Sequence, residues 1–250
     1  MVTGLETFAK YFEGYSGDYV VIGGVACELA LDSMKLHFRG TEDFDIVIVT
    51  DHLNVADGFG KQLKRFIQDG GYYASHRQSN DKPTFFRFLN PKNGDFPSKL
   101  ELATKKPFEG WEWDFAPLVA EDFDSSLSAI LFSPGFYPFI LDNAVVSNGI
   151  SIMCLEGLIP LKCHAFLKLS RQDNLPRKTL ADIEKHRANI EKHRGDIFRL
   201  ADALPTGKTF VLPDEVATST AEALNLIADR PASENEAEVL TMLRRFYGLL

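Results

Sequence analysis

Cysteine is scarce in this chain of 250 residues, which holds only Cys27, Cys154 and Cys163. An odd set without CxxC spacing argues against a disulfide framework or a cysteine zinc site and fits a reducing, cytoplasmic setting. No apolar run approaches the ~18 residues of a transmembrane helix. The opening MVTGLETFAK has neither a basic nor an apolar signal-peptide region, so neither a secretory leader nor a membrane partner is expected. There is no Gly-x-Ser-x-Gly, and no cysteine sits in a nucleophile context, which leaves hydrolase readings unsupported. Positive charge is also short. The net charge of −8 disfavours indiscriminate nucleic-acid binding through bulk charge. What the chain does have is 45% hydrophobic residues and 20 phenylalanines, enough for a sizeable, aromatic-rich core.

The charge is uneven. Residues 162–199 carry ten Lys and Arg against five Asp and Glu. That stretch reads either as a solvated helical face or as a surface that meets phosphates.

The first half alternates strand-like and helix-like segments. A helical opening from Leu5 to Phe12 leads to the β-branched run Asp18-Tyr-Val-Val-Ile-Gly-Gly24 and then to a helix start over Val25 to Leu31. Phe44 to Val49 reads as a strand. Gly60 to Asp69 is amphipathic and stops at Gly70-Gly71, a helix C-terminal signal. Thr84 to Leu89 and Ser98 to Ala103 flank Asn93-Gly94, which predicts an antiparallel hairpin with a longer loop. A strand over Gly149 to Leu155 closes this half. Helical patterns follow over Leu158 to Leu169, Thr179 to Ala203, Pro213 to Ala228 and Ser233 to Leu250. The expectation is an α/β (α+β) domain over 1–156, with a small mixed sheet, and a helical domain over 157–250.

The most informative stretch is Arg39-Gly-Thr-Glu-Asp43-Phe-Asp45-Ile-Val-Ile. Residues i and i+2 of a strand share a face, so Asp43 and Asp45 project together. Side-by-side carboxylates repel unless a cation lies between them, and hard divalent ions such as Mg²⁺ favour such oxygen donors. Glu101, between Leu100 and Leu102, has a similar setting. Three converging acids suit two-metal phosphoryl transfer. The bland alternative for the pair is a strand-entry turn with solvated acids. Upstream, Gly23-Gly24 between strand and helix would expose backbone N–H groups to a phosphate.

Val21-Ile-Gly-Gly24-Val-Ala followed by Arg39-Gly-Thr41-Glu-Asp43-Phe-Asp45 resembles the nucleotidyltransferase pattern of the DNA polymerase β-like superfamily. The nearest branch is the AbiEii-type group, which includes toxins of type IV toxin–antitoxin systems. Leu158-Ile-Pro-Leu-Lys162-Cys-His-Ala165 resembles that group's post-strand helix, and Lys192-His-Arg-Gly-Asp196 its later Lys-x-x-x-Asp motif. The resemblance spans roughly residues 18 to 200 and implies a nucleotidyltransferase fold. It also implies that Asp43, Asp45 and Glu101 are catalytic and bind two Mg²⁺ ions (or Mn²⁺), with Glu101 activating the acceptor hydroxyl. Gly23 and Gly24, with Arg39 and Thr41 in the same motifs, would hold the nucleotide. Lys162 would contact the triphosphate, and Lys192 and Asp196 would complete or brace the site. The implied reaction moves NMP from an NTP to an acceptor hydroxyl on an RNA end, a protein side chain or a small molecule, with an antitoxin as a further partner. A catalytically silent nucleotide-binding or protein-interaction module is the alternative. The chain departs from the pattern in the extra Met34-Lys-Leu-His-Phe38 segment and in having Glu, not Asp, at 101.

Other signals carry less. Leu204-Pro-Thr-Gly-Lys-Thr209 ends like a P-loop, but the required earlier glycine is Asp202. His164, His186 and His193 form no His-x-x-x-His pair, and 186 and 193 are roughly 10 Å apart on a helix, too far to share a metal. They are expected on the helix surface or against phosphate, and the Glu-Lys-His-Arg repeat at 184–187 and 191–194 reads as a wet face. Trp111, Trp113 and Phe115 read as core or domain seam, with a base-stacking platform as the alternative.

Overall fold

The computed structural model describes residues 2–32, 34–41, 43–49, 58–74, 84–104, 135–171, 179–229 and 233–249. The Trp111, Trp113 and Phe115 cluster lies outside them. The chain is mixed α/β and divides into two compact units, one of residues 1–123 with 140–154, the other of 124–139 with 155–250.

The first unit is built on a mixed sheet. Its strands are β1 (Tyr19–Ile22), β2 (Asp43–Ile48), β3 (Tyr73–Ala74), β4 (Thr84–Leu89), β5 (Lys99–Thr104), β6 (Ala144–Ser147) and β7 (Ile150–Met153). They lie in the order β3-β4-β5-β2-β1-β7-β6. β2 runs parallel to β5, and β1 parallel to β7. The remaining neighbours are antiparallel.

Alternation along the strands sorts side chains onto two unlike faces. Tyr19 and Val21, Phe44 and Ile46, Leu100 and Leu102, and Phe86 and Phe88 fall on one face by register and are all buried. Helices α1 (Leu5–Tyr11) and α3 (Phe59–Gly70) bring aromatic rings to the same core. Phe8 sits 5.3 Å from both Tyr19 and Phe44 and 5.7 Å from Phe66, while Phe66 lies 4.8 Å from Phe96. Each buried phenylalanine contributes roughly 2–3 kcal/mol relative to exposure, so this cluster anchors the sheet. The α3 stop signal works as expected: Gly71 adopts the left-handed conformation at φ 62°, and its N–H closes back onto the helix.

The opposite face carries Ile22, Asp43, Asp45, Arg87, Lys99 and Glu101. Helix α2 (Gly23–Asp32) follows β1 without a linking residue and packs on β1, β2 and β7. Asn93-Gly94 does turn within loop 90–98, where the Asn93 side chain accepts a hydrogen bond from the Asp95 N–H at 3.0 Å. The tightest hairpin lies elsewhere. Asn148 (φ 51°) and Gly149 (φ 77°) join β6 to β7, both in the positive-φ region that a two-residue hairpin turn requires.

The second unit contains the start of α4 (Phe136–Asp142), then α5 (Leu155–Arg171), α6 (Leu180–Ala201), α7 (Asp214–Ala228) and α8 (Glu234–Phe246). The hydroxyl of Thr179 accepts from the Asp182 N–H at 3.1 Å, and that of Ser233 from the Glu236 N–H at 3.3 Å, capping α6 and α8. α5 is buried along most of its length and packs on both α6 and α7. It holds Pro160 in its interior, which lacks the N–H that would bond to the carbonyl of Glu156. Tyr247 restores that bond, its hydroxyl donating to the Glu156 carbonyl at 2.7 Å.

The histidines correct the surface expectation. His164, His186 and His193 are all buried. His164 Nδ1 lies 2.7 Å from the Ser219 hydroxyl, and His186 Nε2 lies 3.0 Å from the Leu169 carbonyl. The Glu-Lys-His-Arg repeat is therefore wet only in part: Glu184, Lys185, Arg187, Glu191 and Lys192 are exposed while its two histidines face inward. A seven-residue spacing keeps both on one helix side, and that side faces the core. Among the described residues, no helix is long and apolar enough to cross a membrane.

Candidate active site

Asp43 and Asp45 stand at the start of β2, directly opposite Lys99 and Glu101 on β5, and Arg87 on β4 pairs with Glu101 from the far side. Five charged side chains thus share one patch of the acid-bearing face. Asp45 and Glu101 are buried, at 8% and 2% exposure. Burial of charges is costly unless they are paired, and here the pairing is explicit. Arg87 Nε donates to Glu101 Oε1 at 2.7 Å, Lys99 Nζ lies 3.0 Å from the same oxygen, and Lys99 Nζ also lies 3.2 Å from Asp43 Oδ2.

The two buried carboxyls titrate in opposite directions. Burial, and then the Glu101 carboxylate facing it, push Asp45 well above the ordinary carboxylate range. Burial alone would raise Glu101 too, but Lys99 and Arg87 outweigh it and hold Glu101 below its usual value. The two carboxyls are hydrogen-bonded to each other, an arrangement that favours the proton on Asp45 and the charge on Glu101. Burial would lower Lys99, yet Glu101 and Asp43 raise it, so its ammonium stays charged.

The glycine pair closes over this patch. Gly23 has φ 70°, and a Cβ built on it would collide with the Asp45 carboxylate. A Cβ on Gly24 would collide with the Thr41 hydroxyl. Both glycines open α2, whose first N–H groups have no partner within the helix. At Gly23 both the positive φ and the nearness of Asp45 call for glycine, whereas at Gly24 the constraint is the close approach of the Thr41 side chain alone.

Seven of the residues singled out in the sequence thus belong to the first unit: Gly23, Gly24, Arg39, Thr41, Asp43, Asp45 and Glu101. Arg39 is half-buried with its guanidinium 5.1 Å from the Phe38 ring. Residues 34–37, within the extra segment, are exposed. Lys162, Lys192 and Asp196 belong to the second unit. Lys162 on α5 and Asp196 on α6 form a buried ion pair at 2.9 Å, with Arg199 3.5 Å from the other Asp196 oxygen. Lys192 is exposed on α6.

Lys162, Arg171, Arg194 and Arg199, four of the ten basic residues of this stretch, stand in ion pairs. Arg171 reaches Glu222, and Arg194 reaches Glu236 at 2.7 Å. Cys163 is buried, which pushes its thiol up and away from a reactive thiolate.

Arg87 and Lys99 were not singled out from the sequence. Signals for both existed, since Arg87 interrupts an aromatic strand and Lys99 precedes Glu101 by two positions on one strand face. Among the described residues no group of three or more His, Cys, Asp or Glu side chains is set out to hold a metal ion. Comparison of the chain with protein-family models, curated proteins and solved structures gives no match.

Proposed function

We propose that this chain is a metal-dependent nucleotidyltransferase of the polymerase β-like kind, moving NMP from an NTP to an acceptor hydroxyl. The observation that carries the reading is the contact of the Gly23-Gly24 turn with Asp45. One short turn joins the opening N–H groups of a helix, which have no partner within the helix and suit phosphate oxygens, to a strand bearing two acids and a neighbouring strand bearing a third.

Carboxylate oxygens are the donors a hard cation takes, although the three acids are not gathered around one point as they stand. Asp45 and Glu101 lie close enough to share a proton, and Asp43 projects from the same strand face. Asp43, Asp45 and Glu101 are the residues that would hold Mg²⁺ or Mn²⁺. When bound, the metal would supply the positive charge that offsets the attacking and leaving oxygens. Gly23 and Gly24 N–H groups would hold the triphosphate against repulsion from the acids. Glu101, kept ionised by Arg87 and Lys99, would accept a hydrogen bond from the acceptor hydroxyl and so orient it. The Arg87 pair fixes that carboxylate in place.

Transfer of label from each α-labelled NTP, with Mg²⁺, onto total RNA, total protein and a small-metabolite pool tests this reading. An Asp43→Ala, Asp45→Ala double variant runs in parallel. Label in one pool with wild type alone supports the enzyme and names its acceptor class; neither label nor nucleotide binding sinks it. In the toxin form of the reading, expression of wild type arrests growth while the double variant does not, and an antitoxin partner relieves the arrest.

A second reading, a nucleotide-binding module without turnover, draws on the engagement of Asp43 by Lys99. It expects Mg²⁺–NTP binding that survives with no label in any pool.

A further inference from the structure

Resting on the nucleotidyltransferase reading, we propose that Lys99 is the resident counter-ion of the acid patch. It stands between Asp43 and Glu101, two of the three acids that would hold a divalent ion, so metal entry would require its displacement. The ammonium lies 3.2 Å from Asp43 Oδ2 and 3.0 Å from Glu101 Oε1, bridging two carboxylates on neighbouring parallel strands. Its position is dictated by register. Lys99 pairs directly with Asp43 across the ladder, and it sits two residues from Glu101 on the same face. Its side chain is 25% exposed, Asp43's is 41% and Glu101's 3%. The bridge therefore stands at the solvent edge of the patch, with its inner end anchored on a buried oxygen.

Arg87 has a different role. It holds Glu101 from the opposite side, on β4, and the residues opposite Asp43 and Asp45 in the ladder are Lys99 and Glu101. Of the two cations, Lys99 alone bridges Asp43 to Glu101. Removing its charge leaves Glu101 still paired with Arg87, while Asp43 loses this cation.

Two consequences follow from a bridging cation. With Lys99 and Arg87 set against three acids, most of the patch's charge is offset without a metal. A free divalent ion must also compete with an ammonium tethered at very high effective concentration, which weakens metal uptake. Lys99 thus acts as a positioning residue that sets how readily the three acids accept a metal.

The test is Mn²⁺ binding to the full chain at fixed pH without nucleotide, followed by the free Mn²⁺ paramagnetic resonance signal. Wild type, Lys99→Met and Lys99→Arg are compared, together with an Asp45→Asn, Lys99→Met double variant. Lys99→Met should bind Mn²⁺ at least tenfold more tightly than wild type, and the added Asp45→Asn change should abolish that gain. Lys99→Arg keeps the positive charge and should stay within about threefold of wild type, which covers the case in which Lys99→Met fails to fold. A fold that merely loosened would not gain affinity through one residue and lose it through Asp45.

Affinity of Lys99→Met equal to or weaker than wild type overturns the inference, as does tenfold tighter binding by Lys99→Arg. Failure of the underlying reading has a separate signature. Tighter Mn²⁺ binding in Lys99→Met with no label transfer by wild type supports the counter-ion and removes the transferase. Label transfer by wild type with no tightening does the reverse.

Discussion

Gly23 and Asp45 are in backbone-to-side-chain contact, and each constrains the other. Ile22 pairs with Asp45 across the β1–β2 ladder, so the next residue, Gly23, turns into α2 directly against the Asp45 carboxylate. The sheet register and the glycine turn are two views of one arrangement. Gly23→Ala should cost about 3 kcal/mol of stability, part from a non-glycine residue at φ 70° and part from the collision. Urea denaturation measures it. Adding Asp45→Ala to the same chain should recover part of the loss by removing the collision. Equal losses with and without Asp45→Ala would mean the two residues are not coupled.

The opposed titrations of Asp45 and Glu101 give stability a readable pH dependence. A carboxyl with a raised folded pKa lends stability that is full below the ordinary Asp value of about 3.9 and is lost as pH rises towards the folded value. That describes Asp45. Glu101, shifted down, works in the other window, its contribution being present above about 4.3 and lost as pH falls through its lower folded value. Asp45→Asn keeps a donor towards Glu101 and removes the raised group. Its Tm should match wild type near pH 3.5 and exceed it at pH 8 by roughly 3 °C, for about 1 kcal/mol. A Tm difference that does not change with pH would count against the shared proton. Transfer activity in this variant should be lost, a case of function held at the expense of stability.

Lys162 and Asp196 test whether a buried pair in the helical unit braces the fold. Their side chains are 6% and 0% exposed. Lys162→Met takes this cation from the buried Asp196 and leaves the partly exposed Arg199 3.5 Å away, and should cost about 3 kcal/mol. Lys162→Met with Asp196→Leu removes both charges and should return to within about 1 kcal/mol of wild type. Thermal or chemical denaturation of the three proteins reads this out. A double variant as unstable as the single would show that the pair does more than cancel its own charge.

Much of this architecture could be read from local signals. The Gly70-Gly71 stop, the Thr179 and Ser233 helix starts and the Asp43/Asp45 face all follow from short-range rules, and each is found where those rules put it. What was not legible depends on partners distant in sequence. Arg87 and Lys99 look like ordinary strand charges until β4, β5 and β2 are laid side by side. His186 and His193 look exposed in a charged helix because the sequence does not say which side α5 covers. The β6–β7 hairpin is different: Asn148-Gly149 announces it, but the short strand before it, Ala144–Ser147, is too brief and too exposed to show an alternating pattern.

The proline in α5 offers the sharpest test of a single backbone group. Pro160 provides no N–H, so the Glu156 carbonyl four residues earlier has no helical partner and takes the Tyr247 hydroxyl instead. Tyr247 is itself buried and packs against Phe246 at 5.0 Å and Phe210 at 6.2 Å, so its ring stays in place when only the hydroxyl is removed. Tyr247→Phe should therefore cost about 1 kcal/mol, the penalty of stranding a half-buried acceptor. Pro160→Ala supplies an N–H at the position that can bond to the same carbonyl, so in that background Tyr247→Phe should cost less than about 0.5 kcal/mol. A double-mutant cycle by chemical denaturation measures the coupling. If Tyr247→Phe costs the same in both backgrounds, the hydroxyl does not stand in for the missing helical bond.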